Sequence, residues 1–291
     1  MTAFIIQIDR IPASSLGCYG SWQHATPALD ALAARSLVFE RLFDFSETVA
    51  EIEPAERDVL FTFLPDELLD EITAEDWEIA SHAWLGEAGR EMSEDIPDFL
   101  EAFFHQPEML QDFDLMLRLA LHATSLRALD RLVGELLEDI RQRAQSDDVI
   151  MLIGRRGEPL VEREAGLEEQ PFVRPEIHHL PLFIDRIGTV QPRRISNPLT
   201  IADVQQLLAA LSNSSNGLND WLSDVCSRAM TSESSSARSI VQTDEWLCVL
   251  PCDEDQPPAL YHLPEDQWAL LNVAQQYPHV IENFRVTRSG R

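Results

Sequence analysis

Two short stretches of this chain put chemically capable residues at the end of an apolar run. The run Phe4–Ile8 ends in Asp9-Arg10. The run Val149–Ile153, entered from Asp147-Asp148, ends in Gly154-Arg155-Arg156-Gly157-Glu158. A carboxylate at a buried strand end needs a counter-charge, and a guanidinium can supply one. A guanidinium has five donors and no lone pair, so Arg155 and Arg156 cannot ligate a cation. One of the two is expected to pair with Asp9. In a second arrangement, Arg10, Arg155 and Arg156 converge where open α/β sheets place ligands and hold a sulfate or phosphate ester without cleaving it. Hydroxyl nucleophiles are also present: Ser14 and Ser15 follow Asp9, with Ser46 and Thr48 further on. None has a histidine base at the spacing of a motif, so a hydroxyl mechanism lacks an evident proton acceptor.

The elements that must position these residues follow from periodicity. Phe4–Ile8 and Val149–Ile153 read as buried strands. Thr26 with Pro27 predicts a capped helix whose apolar face is Leu29, Leu32 and Ala33. Leu37–Phe43 and Leu180–Ile184 predict two further strands. The apolar stripe Leu126, Leu129, Leu132, Val133, Leu136 and Leu137 predicts a long helix over 115–143. Ile201–Leu211 predicts another, started by Thr200. Strands alternating with helices imply an α/β fold with a mainly parallel central sheet and helices on both faces. That domain is expected over 1–230. Within it, 44–115 is an acidic insert of short helices, in which Trp77, Trp84 and several phenylalanines need burial. Ser212–Gly217 and Thr231–Ser236 read as loops. A small C-terminal subdomain of antiparallel strands and a helix is expected over 237–291.

The chain has 291 residues and a formal net charge of −28, and its basic side chains are all arginine. Such a balance repels nucleic acid and anionic membrane and leaves no basic stripe for a phosphate backbone. The acidic 44–115 surface is a candidate for recruiting a protein partner. Four cysteines are too few for a disulfide framework, and Cys248 and Cys252 lack a second pair to complete a zinc site. The N-terminus has no basic segment and only a short apolar run, and no window approaches a membrane span. A cytoplasmic protein without cofactor is the expectation.

Leu16-Gly-Cys-Tyr-Gly20 followed by Thr26-Pro-Ala-Leu-Asp-Ala-Leu-Ala33 resembles the sulfatases of the alkaline phosphatase superfamily. The likeness resumes at Leu126, Leu129-Asp130 and Gly134–Leu137, then Asp148–Glu158, Gly166-Leu167 and Leu180–Ile184. It extends to Asp203, Gly217-Leu218 and Leu260–Leu263 near the C-terminus, and it leaves out 66–115. The resemblance implies an α/β sulfatase-like fold, a hydroxyl nucleophile in a Cys/Ser-x-Pro-x-Arg motif, and a divalent cation held by Asp and Asn, His or Gln. Asp9 matches the first metal-binding Asp, and its neighbour, often a second Asp, is Arg10. On a gap-free match over Ala50–Pro65, the nucleophile position falls at Ile52, the next at Glu53 and the motif arginine at Glu56. The later metal-binding pair falls at Arg155 and Arg156, and a downstream lysine at Gln170. His82 and His105 read as ordinary helix residues. The expectation is therefore a sulfatase-like pseudoenzyme with no metal and no catalytic residues. Its work would be binding, regulation or scaffolding. The alternatives are the anion module through Arg10, Arg155 and Arg156, or a divergent ester hydrolase with relocated residues.

Overall fold

A computed structural model describes residues 1–21, 24–46, 52–85, 89, 96–105, 115–158, 174–214, 216–228, 230–234, 238–253, 255–263, 265–266, 269 and 271–289. Thr48, Ala50, Gly166-Leu167 and Gln170 lie outside the described residues. The chain opens with β1 (Ala3–Ile8), two 3-10 turns (Ala13–Ser15 and Gly17–Tyr19) and α1 (Pro27–Ala33). Next come β2 (Leu37–Phe39), β3 (Leu42–Phe43) and β4 (Val59–Phe63), then α2 (Pro65–Glu71), α3 (Ala74–Leu85) and α4 (Ile96–His105). The long helix α5 (Leu115–Arg143) leads to β5 (Val149–Gly154), α6 (Pro175–His178), β6 (His179–Leu180), β7 (Leu182–Arg186) and β8 (Arg193–Ile195). Then follow α7 (Ile201–Asn213), α8 (Gly217–Ser227), β9 (Met230–Ser234), β10 (Arg238–Thr243), β11 (Trp246–Pro251), β12 (Ala259–His262) and α9 (Pro278–Ser289).

The central sheet has the order β4-β1-β5-β7-β2-β8. Only β7 runs against the others, so the sheet is mainly parallel, as expected. Its strands are apolar throughout because both faces are covered. Along β1, Phe4, Ile6 and Ile8 face a core shared with α1, α4 and α5, while Ala3 and Ile5 face one shared with α7 and α8. Ile150 and Leu152 of β5 repeat the first pattern, and Val149, Met151 and Ile153 the second, as a period of two requires. A separate antiparallel sheet, β12-β11-β10-β9, lays Leu247, Val249 and Tyr261 against Phe43 and Phe45, and packs Val241 and Leu250 against Ile281 and Phe284 of α9. Among the described residues no helix is long and apolar enough to cross a membrane.

Several local expectations are corrected. The stretch 44–115 is not helical throughout: Val59–Phe63 forms β4 and extends the parallel sheet beyond β1. Leu37–Phe43 is two strands, and Leu180–Ile184 divides at Pro181, which has no N–H for a ladder. Met230–Ser234, expected as loop in large part, is an edge strand paired with β10, so the antiparallel sheet begins before 237. Thr26 does not cap α1 with its side chain. Its hydroxyl lies 3.4 Å from the Gly17 N–H, and the cap comes from α5. There the Asp130 carboxylate accepts from the N–H groups of Ala28 (3.1 Å) and Leu29 (2.9 Å). A charged acceptor satisfies two first-turn N–H groups at once and complements the helix dipole better than a hydroxyl. Thr200, by contrast, caps α7 as expected, in a reciprocal box with Asp203.

Candidate functional site

The register of the parallel pairs sets what meets at the carboxyl end of the sheet. Ile8 lies opposite Phe63 on one side and Gly154 on the other. The bonding continues past the strands: Asp9 N–H donates to Phe63 O (3.0 Å), Arg155 N–H to Ile8 O (2.8 Å) and Ile11 N–H to Arg156 O (2.9 Å). Residues 9–11 and 155–156 thus leave the sheet together. The second segment is also held from outside, by bonds from Gly157 N–H to Ile177 O and from Glu158 N–H to Glu176 O, both 2.8 Å. A Cβ on Gly157 would sit 1.9 Å from the Glu176 carbonyl oxygen, so only glycine permits this approach.

The expected ion pair forms with Arg156. Its Nε donates to Asp9 Oδ1 at 2.8 Å and its Nη2 to Oδ2 at 2.9 Å, the bidentate fork geometry. The Asp9 side chain is 5% exposed and that of Arg156 43%, so the carboxylate is sealed and the guanidinium closes over it from the solvent side. Arg155 takes no part in this pair. Its Nε is buried and has no hydrogen-bond partner among the described residues. Arg10 adopts φ +56°, a left-handed conformation that a residue with a Cβ adopts at a cost of about 1 kcal/mol or more. Its Nη1 lies 3.5 Å from Glu158 Oε1 and 3.4 Å from Phe103 O. Of the three arginines expected to converge on a ligand, two are therefore engaged by the protein itself.

Glu158 also joins a network that sequence spacing did not reveal. Its Oε2 is 3.3 Å from His122 Nδ1, and His122 Nε2 is 2.8 Å from Ser15 Oγ. This is the connectivity of a serine–histidine–carboxylate triad, the carboxylate at one ring nitrogen and the hydroxyl at the other. All three side chains are buried. The His24 ring lies 5.3 Å from that of His122, and burial, then the nearby His122 charge, lowers its pKa to about 4. The adjoining cavity, lined by Asp9, Arg10, His122 and Glu158 with apolar side chains from α2 and α5, measures about 20 Å³. That is room for about one water molecule. The N–H groups beside the hydroxyl are spent, Ser15 N–H on Pro12 O and Leu16 N–H on Ala13 O. The network thus lacks both substrate space and a local oxyanion donor. The one sequence signal for it was a polar His122 between Leu121 and Ala123 of the long helix.

The remaining positions are scattered. Ile52 is buried in the core on the α7–α8 side of the sheet, and Glu53 and Glu56 are exposed. Ser14 is half-buried, and Ser46 bonds to the Asp44 carboxylate at the surface. His82 is exposed, and His105 pairs with Asp66 at 3.0 Å. Cys248 is buried and Cys252 exposed. The resemblance implies a divalent cation beside Asp9, and these residues do not fit one: both carboxylate oxygens are bonded by the Arg156 cation, and the next side chain is another guanidinium. Among the described residues no group of three or more His, Cys, Asp or Glu could hold a metal ion. Exposed carboxylates line α2 and α3 (Asp66, Glu67, Asp70, Glu71, Glu75), but Asp76 turns inward to Arg127 (3.5 Å) and Arg131 (3.4 Å) of α5.

No protein-family profile and no curated protein matches the sequence. Solved structures do match it in fold. A phosphonate monoester hydrolase of Agrobacterium radiobacter superposes with a TM-score of 0.62 at 14% identity, over 99% of this chain and 95% of that one. A 2-O GAG sulfatase gives 0.60 at 11% identity, over 99% and 91%. A sulfatase candidate from Bacteroides fragilis gives 0.64 at 11% identity, over 98% and 94%. The fold of this chain is thus similar to that of these sulfatase and phosphonate monoester hydrolase structures.

Proposed function

We propose that this chain is a sulfatase-like pseudoenzyme, a protein that keeps the hydrolase scaffold for binding, regulation or scaffolding and does not cleave esters. One observation carries the reading: Asp9 is locked by a bidentate Arg156 where a hydrolase of this fold would hold a cation. The burial of Ile52 at the nucleophile position supports it independently, since a side chain packed into the core cannot present an attacking atom. The test is turnover of aryl sulfate, phosphate and phosphonate monoesters in the presence of Ca²⁺, Mg²⁺, Mn²⁺ or Zn²⁺. No turnover above the uncatalysed rate is expected. Turnover abolished by Ser15→Ala would replace this reading with a hydrolase of relocated residues, which the Ser15–His122–Glu158 connectivity favours and its burial opposes.

A second reading rests on Arg155. A guanidinium whose buried Nε has no partner at the carboxyl end of the sheet can hold a sulfate or phosphate ester, as an anion-binding module would. Calorimetry with sulfate and sulfated sugars at low salt separates the two: saturable heat lost in Arg155→Gln supports the module, and no heat at millimolar ligand ends it. The exposed carboxylates of α2 and α3 are the surface on which a basic protein partner would dock. A pull-down lost on reversing those charges would support that role, and retained binding would remove it.

A further inference from the structure

A second crevice lies at the carboxyl ends of β2 and β8, on the other side of the sheet from Asp9. It has a volume of about 260 Å³, and its walls include Tyr19, Glu40, Arg41, Phe43, His179 and Arg194. The strands place these residues. Glu40 and Arg41 follow β2, Arg194 sits in β8 opposite Val38, and Phe43 pairs with His179 across β3 and β6. Glu40 is fully committed: Arg194 Nε donates to its Oε1 at 2.6 Å and Ser196 Oγ to its Oε2 at 2.7 Å. Arg194 Nη2 is spent on Cys18 O at 2.7 Å. Arg41 donates Nη1 to Thr243 O at 2.9 Å and has no carboxylate within 4.0 Å among the described residues. It is half-buried, and burial pushes its pKa down, while the carboxylates of Asp244 and Glu40 oppose that shift from beyond ion-pair distance. Two guanidiniums thus face two carboxylates, and only Arg194 is joined to one directly, so among the described residues Arg41 is a cation without a direct ion pair.

We propose that this crevice is a binding site for a small organic oxyanion, a carboxylate or phosphate monoester, gripped by Arg41 with Arg194 beside it. An unpaired guanidinium with free N–H groups matches two oxygens of either group. The aromatic walls are rigid. Phe43 is stacked between Phe45 and His179, and Tyr19 is fixed by donating to Phe39 O (2.7 Å) and accepting from Leu182 N–H (3.1 Å). A pocket of this size suits a ligand smaller than the drug-sized molecules that fill sites of about 300 Å³ and above. The site is distinct from the Asp9 end, and its failure would leave the reading of that end, which rests on Arg156 and Ile52, unchanged.

Titration calorimetry of the full chain at low ionic strength, with inorganic phosphate and with succinate as probes, tests it. Saturable binding of at least one probe is expected, weakened about tenfold or more by Arg41→Gln and unchanged by Arg155→Gln. Binding of succinate alone or phosphate alone would each support the site and name its headgroup. No saturable heat at tens of millimolar, a wild-type titration from Arg41→Gln, or loss of binding in Arg155→Gln would overturn it. A second measurement needs no variant: the ring resonances of His179 should move on titration of the wild-type chain, and unmoved rings at saturation would place the ligand elsewhere.

Discussion

The two crevices at the carboxyl end of the sheet answer their charges in opposite ways. Beside β1 and β5, Asp9 is answered by Arg156, and Glu158 by Arg10 and His122, around a cavity of about 20 Å³. Beside β2 and β8, the cavity is about 260 Å³ and Arg41 makes no direct ion pair among the described residues, with Asp244 and Glu40 acting on it from further off. A strand-end crevice that neutralises itself needs no ligand and closes. One that keeps a cation out of any direct ion pair stays open to an anion. The first arrangement trades ligand binding for stability, and the second does the reverse.

Four measurements would break or sharpen that contrast. Glu158→Ala should cost most, about 3 kcal/mol in urea denaturation, because it strips the buried counter-charge from Arg10 and a partner from His122. A loss under about 1 kcal/mol would mean that the closed end is not held by its charges. Arg156→Gln should cost about 2 kcal/mol by leaving Asp9 unpaired, and millimolar Ca²⁺ or Mg²⁺ should not restore the melting temperature. Restoration by either ion would show that the arginine covers a working cation site.

Acid should act on the open side as it does at His24 on the closed one. Burial lowers the pKa of His178 and of His179 from 6.5 to about 4. Each ring donates to a backbone carbonyl, His178 to Asp44 O (2.8 Å) and His179 to Glu40 O (2.7 Å). Between these pH limits the unfolded chain binds protons that the folded chain refuses, so stability falls as pH drops from about 6.5 to about 4. Discounted for partial exposure, the loss is about 1 to 2 kcal/mol, read as a shift in urea midpoint and reduced by replacing both histidines with glutamine. The smallest effect should come from Arg41→Gln, about 1 kcal/mol or less, because the cation makes no direct ion pair among the described residues and gives up its hydrogen bond to Thr243 O. A large loss there would mean that the Arg41 charge is structural.

The strands β1 and β5 and the helix α5 were legible because buried elements write their period into the sequence. Motif order also led to the fold. The strand β4 escaped notice although Val59–Phe63 is a run of strand-forming residues, because it is short and set within a stretch dominated by carboxylates and helical spacing. The choice of Arg156 over Arg155 was not legible either. It depends on where the backbone departs from the ladder, and Arg155 is still bonded to Ile8 there. Ser15, His122 and Glu158 stand 107 and 36 residues apart, and only the docking of α5 against the strand ends joins them. The lack of a direct ion pair at Arg41 could not be read at all, since Glu40 beside it in sequence is claimed by Arg194 from β8.

The Asp130 cap on α1 has a kinetic meaning. The first helix of the chain cannot satisfy the N–H groups of Ala28 and Leu29 until a residue about a hundred positions later has arrived. Seven residues are too few to hold a helix unaided in water. The β1–α1 unit, although it leaves the ribosome before α5, should therefore be completed only after α5 docks. Its amides are expected to gain hydrogen-exchange protection together with those of α5, at a rate set by that long loop closure.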